Sequence, residues 1–290
     1  MCRLFGLHAG GHRVHATFWL LGAPDSLSEQ GRRQPDGAGI GIFTSLGAPI
    51  VSRQAESAWH GRTFELAARD FTSTTFLAHV RYSSGSKDSV ANTHPFEQDG
   101  RLFAHNGVCR GLELLDERLQ RLGAASLVRG QTDSERIFAL ITAETRRSHG
   151  DVASGITAAL GWIIDTLPLY SLNMVITTPD HLWALRYPDT NELYILERTP
   201  GDPAGREQLD ARSSRIRAHF PDLARFPSVV IASEVMDSET GWRLMGPGEM
   251  VCVGPDLIVE SSKPFPSSPA FPLALPDLGR HAVSQRPDLS

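Results

Sequence analysis

Met1-Cys2-Arg3-Leu4-Phe5-Gly6 opens the chain, and the reading turns on the cysteine at its second position. A small penultimate side chain permits removal of the initiator methionine, which would leave Cys2 with a free α-amine. That amine titrates at about 7.7–8.0 and would stand beside a thiol at about 8.5. One residue then carries both nucleophile and base, with the thiolate as the attacking species. The competing reading of Cys2 is a small apolar residue entering a strand, because Arg3 to Leu7 is a short apolar stretch. The segment has no basic stretch followed by an apolar h-region, so it is not read as a secretory signal.

Outward from this terminus, strand patterns dominate the first 110 residues. Gly39 to Phe43 alternates after the Pro35-Asp36-Gly37 turn, and Thr75 to Tyr82 and Arg101 to His105 are further strands. Asn106-Gly107 is the strongest short hairpin signal, so a tight turn is expected there. The middle of the chain is helical. Leu112 to Leu122 has helical spacing, Thr132 and Glu135 form a capping box, and Asp151 to Leu167 supplies another helix, roughly antiparallel to the one before it. Strands return at Ser171 to Thr178, His181 to Tyr187 and Glu192 to Arg198, a meander of hairpins. A short helix is expected within 210–220, and Ser228 to Ala232 and Met250 to Val253 are read as the last strands. Strands, helices and strands again do not alternate as βαβ units, so the class is α+β with antiparallel sheets and a helical layer.

The whole chain has 290 residues, 41% hydrophobic and 21% charged, enough for a large core. The net charge of -5 argues against nucleic-acid and anionic-membrane partners. No apolar run reaches the ~18 residues of a spanning helix. Cys2, Cys109 and Cys252 are too few and too scattered for a disulfide framework or zinc ribbon, which points to a reduced, cytoplasmic protein. Neither a metal nor a dinucleotide or phosphate-binding cofactor is expected, since the motifs for them are missing. After Glu260, six of thirty residues are Pro and six are Ser. The expected division is therefore a domain over 1–260 and a Pro/Ser-rich tail over 261–290, unstructured or draped on the surface.

Several ordered segments change the weight of Cys2. Met1-Cys2-Arg3-Leu4 resembles the processed start of the class II glutamine amidotransferases, members of the N-terminal nucleophile (Ntn) hydrolase superfamily. Gln34-Pro35-Asp36-Gly37-Ala38-Gly39-Ile40-Gly41, Ala78-His79-Val80-Arg81-Tyr82-Ser83-Ser84, Asn92-Thr93-His94-Pro95-Phe96, Phe103-Ala104-His105-Asn106-Gly107 and Gln131-Thr132-Asp133-Ser134-Glu135 are similar to that family's elements in the same order. Fainter similarity continues through Ala232-Ser233-Glu234 to about residue 255. One departure is Ala38, where the family usually carries an aromatic. The resemblance implies a four-layer αββα sandwich of two antiparallel sheets flanked by helices, the Ntn-hydrolase fold.

It also implies roles. Cys2 would attack a γ-glutamyl amide, and the Asn106 side-chain amide and Gly107 N–H would hold the tetrahedral oxyanion, which needs preorganised donors. Arg81 would take the substrate α-carboxylate, for which a guanidinium is the matching fork; a solvated strand-end arginine is the competing reading. Asp133 would pair with the α-ammonium, although an acid in a first helical turn is also favoured by the helix dipole. Tyr82 and Ser84 match pocket-lining positions. His94 would border the pocket or serve as a hydrogen-bonded structural histidine, and His105, Cys109 and Cys252 read as structural. The implied activity is hydrolysis of glutamine or a γ-glutamyl conjugate through a γ-glutamyl thioester. An ammonia-accepting partner protein is expected if the nitrogen is transferred rather than released. Alternatives are a γ-glutamyl hydrolase of ergothioneine-type biosynthesis, a bile-acid or penicillin-type amide hydrolase, and a catalytically silent binding protein on the same fold.

Overall fold

The computed structural model describes residues 2–82, 88–199 and 225–279. The N-terminal half supplies β1 (Arg3–His8), β2 (Val14–His15), α1 (Leu27–Gln30), β3 (Ala38–Phe43), β4 (Pro49–Gln54), α2 (Arg62–Asp70), β5 (Thr72–Ser73), β6 (Thr75–Val80), β7 (Phe96–Gln98) and β8 (Arg101–Cys109). Three helices follow: α3 (Leu112–Arg121), α4 (Asp133–Arg147) and α5 (Val152–Thr166). The chain then returns to strands with β9 (Pro168–Thr177), β10 (Leu182–Leu185), β11 (Tyr194–Arg198), β12 (Ser228–Ala232), β13 (Arg243–Leu244), β14 (Met250–Val253), β15 (Val259–Ser262) and β16 (Phe271–Pro272).

Two sheets result. The first runs β13-β11-β12-β1-β6-β3-β4 and the second β15-β14-β10-β9-β8-β7, with β16 added parallel to β9. Period-two alternation explains the layering. On β1, Leu4 enters the core between the sheets with Leu77, Leu102, Ala104, Val175 and Ile231. Its neighbours Phe5 and Leu7 face outward, onto a cluster with Phe18, Trp19 and Phe64. On the far side, Phe103, Leu172 and Met174 pack under α3, α4 and α5 through Leu115, Phe138, Ile141, Leu160 and Ile163. The molecule is a four-layer αββα sandwich, and its central strands β1 and β6 are buried on both faces. Helix starts follow their caps: the Thr132 hydroxyl accepts the Glu135 N–H (3.1 Å), and Asp151 accepts that of Ser154 (3.2 Å).

Three expectations need correction. Asn106-Gly107 is not a turn: β8 runs straight through it, paired Asn106 to Asn173 and Gly107 to Leu172, with an irregularity only at Val108/Cys109. The hairpin is made one motif earlier by Asp99-Gly100, both at positive φ (50° and 70°) as a type I′ turn demands. The meander also breaks after β10, because β11 crosses to the first sheet and pairs with β12. Finally, β14 is not the last strand. β15 crosses the expected boundary at residue 260, and the segment beyond it packs on the body. There Ala270 donates to the Ile164 carbonyl (3.0 Å), Leu273 to that of Leu169 (2.8 Å), and Phe265 is buried against Tyr187. The expected helix within 210–220 lies outside the described residues.

Candidate active site

Register determines what surrounds Cys2. β1 pairs with β6 through Arg3 to Val80 and Leu4 to His79, so Cys2 emerges at the end of β6 beside Arg81 and Tyr82. The Cys2 Sγ accepts the Tyr82 N–H (3.3 Å) and lies 3.4 Å from the Tyr82 carbonyl. Burial pushes the Cys2 thiol up, while the positive chain terminus, the Tyr82 N–H and the guanidinium groups of Arg81 and Arg3 pull it down. A buried thiol of this kind needs a base to become a thiolate.

The terminus itself is held from the other side of β1. The Leu4 N–H donates to the Ser233 hydroxyl (2.9 Å), and the Ser233 N–H donates to the Leu4 carbonyl (3.1 Å). Arg3 donates to the Cys2 carbonyl (3.2 Å) and forms an ion pair with Glu234. Glu234 in turn neighbours Asp25. Burial, then the charge of Glu234, push the Asp25 carboxyl up to about 6.

Arg81 is no solvated strand-end arginine, since its side chain is only 5% exposed. Its guanidinium donates to the Asp36 carbonyl (3.2 Å) and to Asp88 Oδ1 (2.7 Å). Its backbone closes the Asp36-Gly37 turn by donating to the Gly37 carbonyl (2.8 Å) and accepting the Asp36 N–H (3.2 Å). Tyr82 contributes its backbone to Cys2, as described above. Ser84 lies outside the described residues.

Asn106 and Gly107 lie on β8 in the opposing sheet. Ala104 faces the inter-sheet core, so Asn106, two residues on, lies on that same face, toward β1. The Asn106 carbonyl is held by the Ser171 hydroxyl (3.1 Å) and the Asn191 side-chain amide (3.5 Å). Only glycine fits at 107: a Cβ there would stand 1.9 Å from the Ser171 carbonyl oxygen. Asp133, the first residue of α4, accepts the Cys109 N–H (2.9 Å) and the Ser134 N–H (2.7 Å). It thus ties the helix to β8 just beyond Gly107.

His94 is buried with its ring 4.2 Å from that of His79, and neither nitrogen of the His94 ring has a hydrogen-bond partner among the described residues. Burial pulls His79 down to about 3 and His94 well below its ordinary value, so both imidazoles are neutral. The hydrogen-bonded structural histidine expected at 94 is instead held by ring contacts, tilted 44° against His79 and edge-on to Phe96. Burial pushes the thiol of Cys109 up, and that of Cys252 up to about 11. Among the described residues no group of His, Cys, Asp and Glu side chains is arranged to hold a metal ion, and no helix is long and apolar enough to cross a membrane.

A model of the class-II glutamine amidotransferases matches residues 1–267. The chain belongs to that family. Among relatives of the chain, the γ-glutamyl-hercynylcysteine sulfoxide hydrolase of Mycobacterium tuberculosis is 29% identical over 252 residues, which cover 83% of this chain and 88% of the relative. An uncharacterized protein of Methanocaldococcus jannaschii is 26% identical over 274 residues, 91% of this chain and 72% of its own. The glutamine–fructose-6-phosphate aminotransferase of Helicobacter pylori is 30% identical over 129 residues, but these are only 21% of its length. The fold is shared with a glutamine aminotransferase class-II domain protein from Silicibacter pomeroyi (TM-score 0.59, 20% identity, 91% of this chain and 100% of the other). It is also shared with the glutamine phosphoribosylpyrophosphate amidotransferase of B. subtilis (TM-score 0.64, 20% identity, 92% and 50%). The two antiparallel sheets and their helices are those of the Ntn-hydrolase amidotransferases.

The sequence carries no assigned role for Ser233, Glu234, Ser171 and Asn191, which here hold Leu4, Arg3 and Asn106 in place. The Ala232-Ser233-Glu234 similarity was the available signal for the first two. Ser171 and Asn191 had none, because their contacts depend on the pairing of β9 alongside β8 and on the loop after β10.

Proposed function

We propose that the protein hydrolyses γ-glutamyl amides, with Cys2 as the nucleophile after loss of Met1. The observation that carries this reading is the seating of the Cys2 Sγ on the Tyr82 N–H (3.3 Å), beside buried Arg81 and facing the sheet that bears Asn106-Gly107. The thiol, held up by burial, gives its proton to the α-amine of Cys2 and attacks the γ-carbonyl. The developing oxyanion is met by the Asn106 amide and the Gly107 N–H. The intermediate collapses to a γ-glutamyl thioester as the leaving amine takes the proton, and water then releases glutamate and regenerates the thiol. Arg81 binds the substrate α-carboxylate in exchange for Asp88, and Asp133 binds the α-ammonium. Tyr82 lines the pocket, and the neutral, tilted His79–His94 ring pair supports it.

The similarity to the mycobacterial hydrolase along nearly the whole of both chains supports a γ-glutamyl conjugate as substrate, with glutamine itself as the simplest member of the class. Delivery of ammonia to a partner protein is the alternative fate of the nitrogen. The test is glutamate release by mass-verified, Met1-free protein from L-glutamine and a panel of γ-glutamyl amines and thioether conjugates. Release that vanishes in Cys2→Ala supports the reading. No release from any of them, or a Cys2→Ala variant indistinguishable from the parent, refutes it and leaves the apolar-amide hydrolase or the silent binding protein.

A further inference from the structure

His105 is buried, and both of its ring nitrogens are engaged. Nε2 is 3.2 Å from the Ser171 carbonyl, and Nδ1 is 3.0 Å from the Ser134 hydroxyl. A carbonyl only accepts, so Nε2 must carry a proton. Burial disfavours the imidazolium, so His105 is the neutral Nε2–H tautomer and Nδ1 is an acceptor. The single hydroxyl proton of Ser134 must then go to His105. That matters because the same hydroxyl oxygen lies 3.2 Å from Asp133 Oδ1, the competing acceptor.

The consequence falls on Asp133. Its carboxylate has roughly four lone-pair sites, and the Cys109 and Ser134 N–H groups occupy two of them. With Ser134 turned toward His105, the remaining capacity stays open to an incoming donor. Were His105 unable to accept, the Ser134 hydroxyl would turn onto Oδ1 and fill part of it. We propose that His105, acting through Ser134, keeps the Asp133 carboxylate open to the substrate α-ammonium and so sets the preference for γ-glutamyl substrates with a free α-amine. This rests on the reading of Asp133 in the proposed function. His105 is a positioning residue here: it touches neither substrate nor the reacting atoms, and it acts through a hydroxyl.

The test compares ammonia release from L-glutamine with that from glutaramate, which is glutamine without its α-amine, and takes the ratio of the two kcat/KM values. Asp133→Asn should collapse that ratio. His105→Phe, which keeps the ring but removes the acceptor, should lower it by about tenfold or more, the scale of one hydrogen bond to a charged group. Ser134→Ala should leave the ratio unchanged, and the double variant His105→Phe/Ser134→Ala should restore it, because no hydroxyl remains to fill Asp133. A merely structural role would depress both substrates alike in His105→Phe and would show no rescue. If Asp133→Asn collapses the ratio while His105→Phe does not, the proposal fails and the Asp133 reading stands; if Asp133→Asn leaves it unchanged, that reading fails first. Should His105→Phe not fold, nitrogen NMR of the parent protein decides. An Nε2–H tautomer with Nδ1 accepting supports the proposal, and an Nδ1–H or doubly protonated ring overturns it.

Discussion

Replacing Gly107 by alanine perturbs the fold and the proposed chemistry at the same atom. The added Cβ would meet the Ser171 carbonyl oxygen at 1.9 Å, its carbon at 2.6 Å and His105 Nε2 at 2.5 Å. Carbon–oxygen contacts between strands settle near ~3.3 Å, so β8 and β9 would have to part by roughly 1.4 Å at this rung. Two of the hydrogen bonds at Ser171, one from His105 to its carbonyl and one from its hydroxyl to the Asn106 carbonyl, span the two strands and would stretch. Overpacking costs about 1–3 kcal/mol and each weakened hydrogen bond about 1 kcal/mol, which together should lower Tm by roughly 5–10 °C in a chain of this size. The Gly107 N–H moves with the strand. If it is an oxyanion donor, kcat should fall by about 10²–10³ at temperatures where the variant is fully folded. The assay is glutamate release well below Tm, paired with thermal denaturation. A Gly107→Ala protein that loses stability but keeps kcat within about threefold of the parent would show that this N–H does not face the reacting carbonyl. One with unchanged Tm would refute the packing argument itself.

Arg81→Ala should raise KM for L-glutamine at least about tenfold, the loss of one charge-assisted bidentate contact, with little change in Tm; the opposite pattern would make Arg81 a brace for the Asp36 turn. Ser233→Ala strands the buried Leu4 N–H and should cost about 1–3 kcal/mol, seen as faster hydrogen exchange at Leu4 and lower activity from a loosened Cys2. Asp25 binds its proton more tightly in the folded state, so its contribution to stability is full below about pH 4 and is lost as pH rises through about 6. Asp25→Asn should therefore stabilise the protein at pH 7–8 by about 1 kcal/mol, after discounting for solvent screening of a side chain 36% exposed. The gain should disappear by about pH 4, and an equal gain at all pH values would contradict the assignment.

How far the sequence was readable follows from the range of the forces involved. Strands β1, β3, β6 and β12 are apolar runs whose burial is their own signal, and Thr132 and Asp151 are caps that act within one turn of helix. Two segments gave weak patterns: β4 is half-exposed, and the short α2 buries only Phe64, Ala67 and Ala68. Asp99-Gly100 and Asn106-Gly107 are locally alike, and only the second is read as a turn. Asp99-Gly100 turns and Asn106-Gly107 stays extended because β9 lies alongside the latter and offers partners through Cys109, which no local pattern encodes. The candidate site divides the same way. Cys2, Arg81, Asp133, Asn106 and Gly107 were legible as residue types in ordered motifs. The pairing that brings Cys2 onto Tyr82, the Ser233 clamp on Leu4 and the Ser134–His105 contact join residues 29 to 229 positions apart. They could be found only in three dimensions.

The most direct measurement of the central claim is peptide-level mass spectrometry after treatment with a diazo-ketone analogue of glutamine. The account predicts a single adduct, on a peptide that begins at Cys2 with a free amine, and loss of glutamate release in proportion to its formation. Cys109 and Cys252, whose thiols burial pushes up, should remain unmodified. Retained Met1 with glutamate release intact, or inactivation without an adduct on Cys2, would contradict it.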